Sequence, residues 1–365
     1  MPTLDIGQVD KNLKVVCNPE LKDVIFRDVC LPPFFVYGLY PPDEAGGFHR
    51  LPTKVADATS DGVKHLNFHT AGGRIRFATN SAYVAIKVKM PYVTHFSHMA
   101  LTGTSGLDLY ETTPDGTVTC FSGVFIPPNN MKDGYEAVLH LNGGKKMRYL
   151  TLHFPLYNPV DELYVGLQED AKLLPGLPYR NQKPVVYYGS SITQGGCASR
   201  PGSCYTALVS RELNLHYLNL GFSGSGRAED AIVDYMAGLD MSVFVSDYDH
   251  NAPDPEYLRT THFKMYEKIR AKHPELPYIM VSKPDFLTNN PKQSEIRRRV
   301  ILESYIKACS TGDRNLYLLE GDSFFRGRMG DDRTVDGCHP TDSGFRAMAE
   351  SFIGIFERII AKGQL

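Results

Sequence analysis

The chain has 365 residues, of which 42% are hydrophobic and 22% charged, and its formal net charge at pH 7 is −2. This balance gives no electrostatic reason to expect nucleic acid or an anionic membrane as a partner. No apolar run approaches the roughly 18 residues of a membrane-spanning helix, so no membrane partner is expected. The length exceeds what one core usually supports, and two domains are therefore expected.

The first 60 residues give no clear periodic pattern. Their start, MPTLDIGQVDKNLKVV, lacks the basic stretch and apolar core of a secretory signal. As it stands the sequence predicts a cytoplasmic protein, and an extracytoplasmic one only if a signal has been removed. Proline pairs and Gly46-Gly47 then interrupt short apolar pieces, so this region is expected to be irregular.

From about residue 62 to 170 the pattern has period two. Tyr83–Lys89 places Val84, Ile86 and Val88 on one face, and Met147–Phe154 alternates in the same way. Three glycine-containing turns are typical of hairpins: Gly72-Gly73, Asp115-Gly116 and Asn142-Gly143-Gly144. The sequence predicts an all-β, jelly-roll-like sandwich as a domain over residues 1–175, followed by a proline-rich linker at 171–184.

After residue 183 apolar strands alternate with helical segments. The strand candidates are Val185–Tyr188, Leu215–Leu220, Ser242–Ser246, Tyr278–Ser282 and Leu316–Leu319. Helices are expected at 254–272, at 291–310 and at the C-terminus, where apolar residues recur at steps of three and four. This alternation predicts a flavodoxin-like, three-layer α/β domain over residues 183–365, with a five-stranded parallel sheet.

Chemistry is expected where the strands of such a sheet end. The first strand runs into Gly189-Ser190-Ser191, where either serine hydroxyl could stand at the rim. Asp336 and His339 lie together just before the last helix, so the carboxylate can orient the imidazole as a base. A serine at one sheet edge and an Asp/His pair near it are the three parts of an activated-serine site.

Two further loops follow the second and third strands. The glycine-rich stretch Asn219–Gly226 can present backbone N–H groups to an anion, although it matches no dinucleotide or P-loop motif. Asn251 can donate its side-chain amide to an oxyanion. Asp247, Asp249, His250 and Asp254 are all metal-ligand types, but capping of the next helix is the more usual role of such acids, and neither a metal nor a cofactor is predicted.

Four sequence blocks in this order resemble those of SGNH (GDSL-type) hydrolases. They are GSSITQG at 189–195, NLGFSG at 219–224, DHN at 249–251 and DGCH at 336–339. The resemblance implies Ser191 as nucleophile, His339 as general base and Asp336 as the carboxylate that orients it. It also implies an oxyanion hole made by the backbone N–H groups of Ser191 and Gly224 and the Asn251 amide.

The first half of the chain resembles the β-sandwich that precedes one subset of these esterases. GLDLY at 106–110 matches the GxDLY signature of that sandwich. Asp108 and Tyr110 are expected to stabilise the sandwich or its contact with the α/β domain. The third block reads Asp249-His250-Asn251-Ala252 in place of Gly-x-Asn-Asp. Because of this difference, the resemblance does not predict the shape of the site next to Asn251 or the substrate.

The predicted activity is hydrolysis of short acyl esters, acetyl above all, on a saccharide or another small polar alcohol. Arg200 and Arg227 are candidate substrate contacts, with surface ion pairing as the alternative for each. Three rival hypotheses stay open: a carbohydrate-binding protein with an inactive hydrolase domain, an esterase or thioesterase for a non-sugar ester, and a thiol enzyme using Cys338 or Cys197. The sequence gives no oligomeric state.

Seven cysteines are present in no metal-like spacing. Most are expected to be small buried side chains. Cys197 and Cys204 flank one loop and could form a disulfide in an oxidising compartment, although free thiols are the favoured expectation.

Overall fold

The computed structural model describes residues 21–284, 291–326 and 330–365, and two antiparallel sheets make up most of its first half. Their ten strands are β1 (Val24–Asp28), β2 (Val36–Tyr37), β3 (Arg74–Thr79), β4 (Tyr83–Lys89), β5 (Leu107–Thr112), β6 (Thr119–Phe125), β7 (Gly134–His140), β8 (Arg148–His153), β9 (Glu162–Gln168) and β10 (Leu173–Pro175). One sheet has the order β1-β9-β4-β7. The other has the order β10-β3-β8-β5-β6, with β2 paired to β3.

The two sheets enclose one apolar core, which confirms the predicted jelly-roll-like sandwich. Val84, Ile86 and Val88 of β4 are buried in this core together with Leu150 and Leu152 of β8. On the other face of β4, Lys87 and Lys89 are exposed, whereas Tyr83 and Ala85 are covered. The period-two pattern therefore reports the inner and outer faces of the strands correctly.

Only one of the three predicted hairpin turns is a hairpin. Asp115-Gly116 joins β5 to β6, which pair antiparallel. Asn142-Gly143-Gly144 instead carries the chain from β7 in one sheet to β8 in the other, and Gly72-Gly73 leads into β3 from a helical region. The hairpin prediction was wrong there because turn residues specify a reversal of the chain and not the sheet that the next strand joins.

Three short helices were not expected in this half: α1 (Thr53–Thr59), α2 (Asp61–Leu66) and α3 (Leu101–Thr104). Ser60 caps α2, because its hydroxyl accepts a hydrogen bond from the N–H of Val63 at 3.4 Å. The helices are too short for a helical period to stand out in the sequence. The predicted linker also begins with β10, which pairs with β3.

The second half contains the predicted parallel sheet. Its strands are β11 (Val185–Gly189), β12 (Tyr217–Gly221), β13 (Val243–Asp247), β14 (Tyr278–Val281) and β15 (Leu316–Leu319), in the order β12-β11-β13-β14-β15. Its helices are α4 (Ser191–Gln194), α5 (Tyr205–Leu213), α6 (Asp230–Ala237), α7 (Pro255–Lys272), α8 (Pro291–Ser310) and α9 (Asp342–Ala361). This is the flavodoxin-like strand order, and the direction of crossover changes beside β11.

Successive residues of β11 face opposite layers. Val186 and Tyr188 lie in a core with the apolar residues of α6, α7 and α8, whereas Val185 and Tyr187 lie in a core with α5 and α9. Both faces of the sheet are thus covered, which gives the predicted three layers. No helix in the described ranges has the length and apolar character needed to cross a membrane.

Candidate active site

The turn that follows β11 distinguishes the two serines. Ser190 is the N-cap of α4: its hydroxyl accepts a hydrogen bond from the N–H of Ile192 at 3.2 Å, and the residue is fully buried. Ser191 begins the helix and retains 8% exposure. A Cβ at Gly189 would lie 2.0 Å from Thr193 Oγ1, so only glycine fits at the end of the strand. Of the two serines, Ser191 is therefore the one that remains partly accessible to solvent.

Ser191, His339 and Asp336 form a continuous hydrogen-bonded chain. Ser191 Oγ lies 2.8 Å from His339 Nε2, and His339 Nδ1 lies 2.7 Å from Asp336 Oδ2. With Asp336 ionised, Nδ1 carries the proton and Nε2 is the acceptor for the serine hydroxyl. The arrangement can deprotonate Ser191 during attack on a carbonyl carbon.

The carboxylate of Asp336 is held in its charged form. Its Oδ1 accepts hydrogen bonds from the backbone N–H groups of Cys338 at 3.0 Å and His339 at 2.8 Å. Partial burial raises the pKa of Asp336, but these hydrogen bonds and the His339 side chain outweigh it and lower the pKa to about 2. The carboxylate can therefore orient His339 at any pH near neutrality.

Three of the residues that line one cleft with His339 carry candidate hydrogen-bond donors for an oxyanion. The N–H of Ser191 lies in the first turn of α4, where N–H groups have no acceptor within the helix. Gly224 adopts a positive φ of 69° in the loop after β12. The amide of Asn251 donates one hydrogen bond to the carbonyl of Phe222 at 2.8 Å, and an amide nitrogen carries a second hydrogen. Ser191, Gly224, Asn251 and His339 line one cleft.

The cleft has a volume of about 650 Å³, and polar and apolar atoms contribute about equally to its surface. Beyond the residues already named, its walls include the charged side chains of Asp254, Lys283 and Arg297 and the polar Gln293 and Ser294. Such a lining suits a polar substrate better than a long alkyl chain.

A second set of residues fixes the loop after β12 that carries Gly224, and sequence reasoning missed this set. Gln194 Oε1 accepts a hydrogen bond from the N–H of Ser223 at 3.0 Å, and its Nε2 donates to the carbonyl of Leu156 at 3.1 Å. Asn219 donates to the carbonyl of Thr193 at 2.7 Å. Gln194 and Asn219 lie within the sequence blocks themselves, so their position in the motif is the signal that could have identified them.

Two residues of the β-sandwich also support this loop and the nucleophile turn. The hydroxyl of Tyr157 donates to the carbonyl of Ser191 at 3.1 Å. The guanidinium of Arg50, fully buried, donates to the carbonyl of Gly221 and stands over the Phe222 ring at 4.2 Å. No local pattern in the sequence marks either residue.

The two arginines proposed as substrate contacts lie in different places. Arg227 donates two hydrogen bonds to the carbonyl of Gly224, at 3.0 and 3.2 Å, so it supports the loop after β12. Arg200 lies between Asp108 at 3.7 Å and Asp342 at 3.9 Å and lines a separate cavity of about 460 Å³. The structure thus brings Arg227 next to the cleft and Arg200 to the contact between the β-sandwich and α9.

Asp108 of the GLDLY motif joins the β-sandwich to the loop after the nucleophile. The residue is fully buried, and its carboxylate accepts hydrogen bonds from His153 Nδ1 at 2.9 Å and from the N–H of Gly202 at 2.8 Å. Burial lowers the pKa of His153, although the hydrogen bond with Asp108 acts in the opposite direction. The motif therefore stabilises the contact between the two halves of the chain.

The acidic residues considered as metal ligands have other partners. Asp247 accepts hydrogen bonds from Thr193 and Tyr205 at 3.0 Å, Asp249 accepts from the N–H of Lys283, and Asp254 caps α7. One other group of metal-type side chains occurs within the described ranges: the ligand atoms of His98, Cys197 and His339 lie within 4.8 Å of one another.

The described cysteines are all free thiols, including Cys197 and Cys204, and Cys17 lies outside the described residues. Burial and the nearby Asp336 carboxylate raise the pKa of the Cys197 thiol to about 12. A thiol of that pKa is protonated at neutral pH and is a poor nucleophile.

Both halves of the chain match models of known protein families. Residues 182–360 match the model of the GDSL-like lipase/acylhydrolase family, and residues 27–173 match that of the N-terminus of SGNH-hydrolase-type esterases, named GxDLY. No curated protein matches the chain in sequence.

Solved structures of the same architecture cover both halves. A protein from Bacteroides ovatus described as a GDSL-like lipase is 28% identical, with a TM-score of 0.83 over 93% of this chain and 98% of its own. A salicylyl-acyltransferase from a tetracycline biosynthetic pathway is 18% identical, with a TM-score of 0.71 over 91% and 96% of the two chains. A family two carbohydrate esterase from Clostridium thermocellum, in complex with cellohexaose, is 14% identical, with a TM-score of 0.59 over 91% and 100%.

Proposed function

Because the chain belongs to the GDSL-like lipase/acylhydrolase family and is a serine ester hydrolase of the SGNH type, we propose that it hydrolyses short acyl esters, acetyl above all, of saccharides. Ser191, His339 and Asp336 are the proposed catalytic residues. The observation that carries the assignment is the pair of contacts from Ser191 Oγ to His339 Nε2 and from His339 Nδ1 to Asp336 Oδ2, at 2.8 and 2.7 Å.

The proposed reaction has two steps. Ser191 Oγ attacks the ester carbonyl while His339 Nε2 takes its proton, and the oxyanion forms facing the N–H groups of Ser191 and Gly224 and the Asn251 amide. The C–O bond to the alcohol then breaks, and His339 returns the proton to the leaving oxygen. Water attacks the acyl-serine in the same way and releases the acid and free Ser191.

The proposed substrate class rests on the lining of the cleft. The cleft is lined by Asp254 and by the cationic donors Lys283 and Arg297, and charged groups of this kind suit a polar alcohol better than an apolar alcohol or a long acyl chain. A saccharide offers hydroxyl groups to such donors. The carbohydrate esterase of similar fold binds cellohexaose, which supports this class for the same architecture.

Replacement of Ser191 tests the catalytic assignment. We expect Ser191→Ala to abolish hydrolysis of 4-nitrophenyl acetate, because no other hydroxyl contacts His339 Nε2 among the described residues. The matched control is Ser190→Ala, which removes a helix cap and should retain most of the rate. Near-wild-type activity of Ser191→Ala would overturn the assignment.

Two rival functions have different outcomes in simple assays. An inactive, carbohydrate-binding protein would not be labelled at Ser191 by a fluorophosphonate, whereas an active serine hydrolase is. A thiol enzyme would lose activity with iodoacetamide. Acetylated saccharides compared with 4-nitrophenyl esters of rising acyl length, and with thioesters, would separate a saccharide acetylesterase from an enzyme acting on another ester.

A further inference from the structure

We propose that His98, on the β-sandwich, forms the subsite for the alcohol half of the ester and that this subsite takes a polyhydroxylated alcohol such as a sugar. Residues 90–99 connect β4 to α3 and are called the rim segment below. The inference rests on the proposed function, in which His339 protonates the leaving alcohol.

His98 contacts the catalytic histidine directly. The ring centroids of His98 and His339 lie 5.7 Å apart with the rings inclined at 50°, and a nitrogen of each lies within 4.8 Å of the other. His339 is shielded from most solvent, whereas His98 is exposed. A substrate group bound beside His339 is therefore expected to contact the imidazole of His98, which can form a hydrogen bond with that group.

The position of His98 decides which half of the ester it meets. A general acid must come within about 2.6–3.2 Å of the atom it protonates, so the leaving oxygen lies beside His339 Nε2. The carbonyl oxygen lies instead at the donors of Gly224 and Asn251. In the proposed subsite His98, packed against His339, meets the carbons and hydroxyls attached to the leaving oxygen.

The rim segment is held firmly in relation to Ser191. The fully buried Asn158 accepts a hydrogen bond from the N–H of Thr94 at 3.0 Å and donates to the carbonyl of Tyr92 at 2.9 Å. Phe96 packs edge-on against Tyr157 with centroids 5.5 Å apart, and the Tyr157 hydroxyl binds the carbonyl of Ser191. A binding site fixed in this way needs little reordering when substrate arrives.

The side chains that the rim segment exposes indicate a polar alcohol. His95, Ser97 and His98 are exposed and carry hydrogen-bonding groups, and the ring of Tyr92 is stacked on that of His65 at 6.1 Å with planes 10° apart. Imidazole and hydroxyl groups pair with sugar hydroxyls, and an aromatic ring offers an apolar face to the carbon skeleton of a sugar.

The test compares two esters with different alcohols in wild type and His98→Ala. For a monoacetylated glucose, the variant should show an approximately tenfold higher KM. For 4-nitrophenyl acetate, whose alcohol leaves readily and offers no hydroxyls, the KM should rise clearly less than for the sugar ester, so the readout is the ratio of the two increases in KM. His98→Asn, which keeps a hydrogen-bonding edge, should restore part of the loss, and His140→Ala, at an exposed histidine that ends β7 and does not line the cleft, is the matched control.

Several outcomes would overturn the inference. An equal loss on both esters would place His98 in the catalytic machinery, and no loss on either would mean that it does not meet the alcohol. A wild-type enzyme that hydrolyses 4-nitrophenyl acetate but not the sugar ester would refute the substrate class alone. Failure of wild type in both hydrolysis and labelling would instead refute the proposed function.

Discussion

Ser191 Oγ and His339 Nε2 lie 2.8 Å apart although 148 positions of sequence separate the two residues. The loop after α4 is attached to the start of α9, because Asp342 accepts hydrogen bonds from the backbone N–H of Ser199 at 2.8 Å and from its hydroxyl. This attachment connects the segment that carries Ser191, the proposed nucleophile, to the segment that carries His339, the proposed base. The contact between the two residues is therefore a property of the packed α/β sheet and helices.

Asn251→Ala should lower kcat for 4-nitrophenyl acetate by about 10²- to 10³-fold with little change in KM, because an oxyanion donor acts mainly in the transition state. Steady-state kinetics on the purified variant would measure this. Urea unfolding should accompany it, since the same amide binds the carbonyl of Phe222. A decrease in kcat of less than tenfold in a folded variant would contradict the assignment of Asn251 to the oxyanion hole.

Gln194→Leu should lower both activity and stability. The change keeps the size of the side chain but leaves the N–H of Ser223 and the carbonyl of Leu156 without their partners, and each buried unpaired group costs about 1–3 kcal/mol. We expect kcat to decrease more than KM rises, because the loop that carries Gly224 loses its support. An unchanged kcat in a destabilised variant would mean that Gln194 has a structural role only.

Asp108→Ala should reduce the free energy of unfolding by about 3–5 kcal/mol, the usual loss when one partner of a buried ionic network is removed. His153 and the N–H of Gly202 would lose their acceptor. The control is Asp170→Ala, which breaks only a surface contact with Lys145 and should change the unfolding free energy by less than about 1 kcal/mol. Equal effects of the two substitutions in urea would refute the role given to GLDLY.

Asp247 should make the protein less stable as the pH rises from about 4 to 7. Burial and the neighbouring Asp249 raise the pKa of Asp247 to about 7 in the folded state, above the 3.8 of an unperturbed aspartate. The folded protein therefore binds a proton in this range that the unfolded chain has lost, and stability decreases with pH through the window. Asp247→Asn keeps an oxygen acceptor for Thr193 and Tyr205 but cannot ionise.

Melting temperatures at pH 5 and pH 9 would test this prediction. The melting temperature of Asp247→Asn relative to wild type should be higher at pH 9 than at pH 5. A difference that is constant or larger at pH 5 would show that Asp247 does not titrate in this way. Circular dichroism at both pH values would confirm that the variant has the same fold.

The fold could be predicted from the sequence where the signal is local. Val84, Ile86 and Val88 mark their strand by alternation, and the helices at 255–272 and 291–310 follow patterns within one element. α1 and α2 were missed because each has few apolar residues. These residues are buried against partners in the other half of the chain, and a local sequence pattern does not contain those partners. The same reason explains the two wrong hairpins, since pairing of β7 with β4 is decided by the sandwich core.

The site residues that lie in local motifs could also be predicted from the sequence, and those brought in by long-range contacts could not. Ser191, His339 and Asp336 stand in short motifs, and the structure brings them into hydrogen-bond contact. Tyr157 and His98 belong to the β-sandwich and approach the site only in the folded chain. Their roles depend on contacts with residues that are distant in the sequence, so a local motif could not identify them.

The packing of α1 and α2 has a consequence for how such a protein can evolve. Leu51, Val63 and Leu66 precede the sandwich strands β3 to β10, yet they are buried among Val186 and Tyr188 of the parallel sheet. Deleting the first half of the gene at the proline-rich connection would strip this apolar cover from the remaining half. We therefore expect the two halves to have been inherited together, with selection against recombination at that junction. The proline-rich sequence of the junction alone would have suggested an ordinary domain boundary.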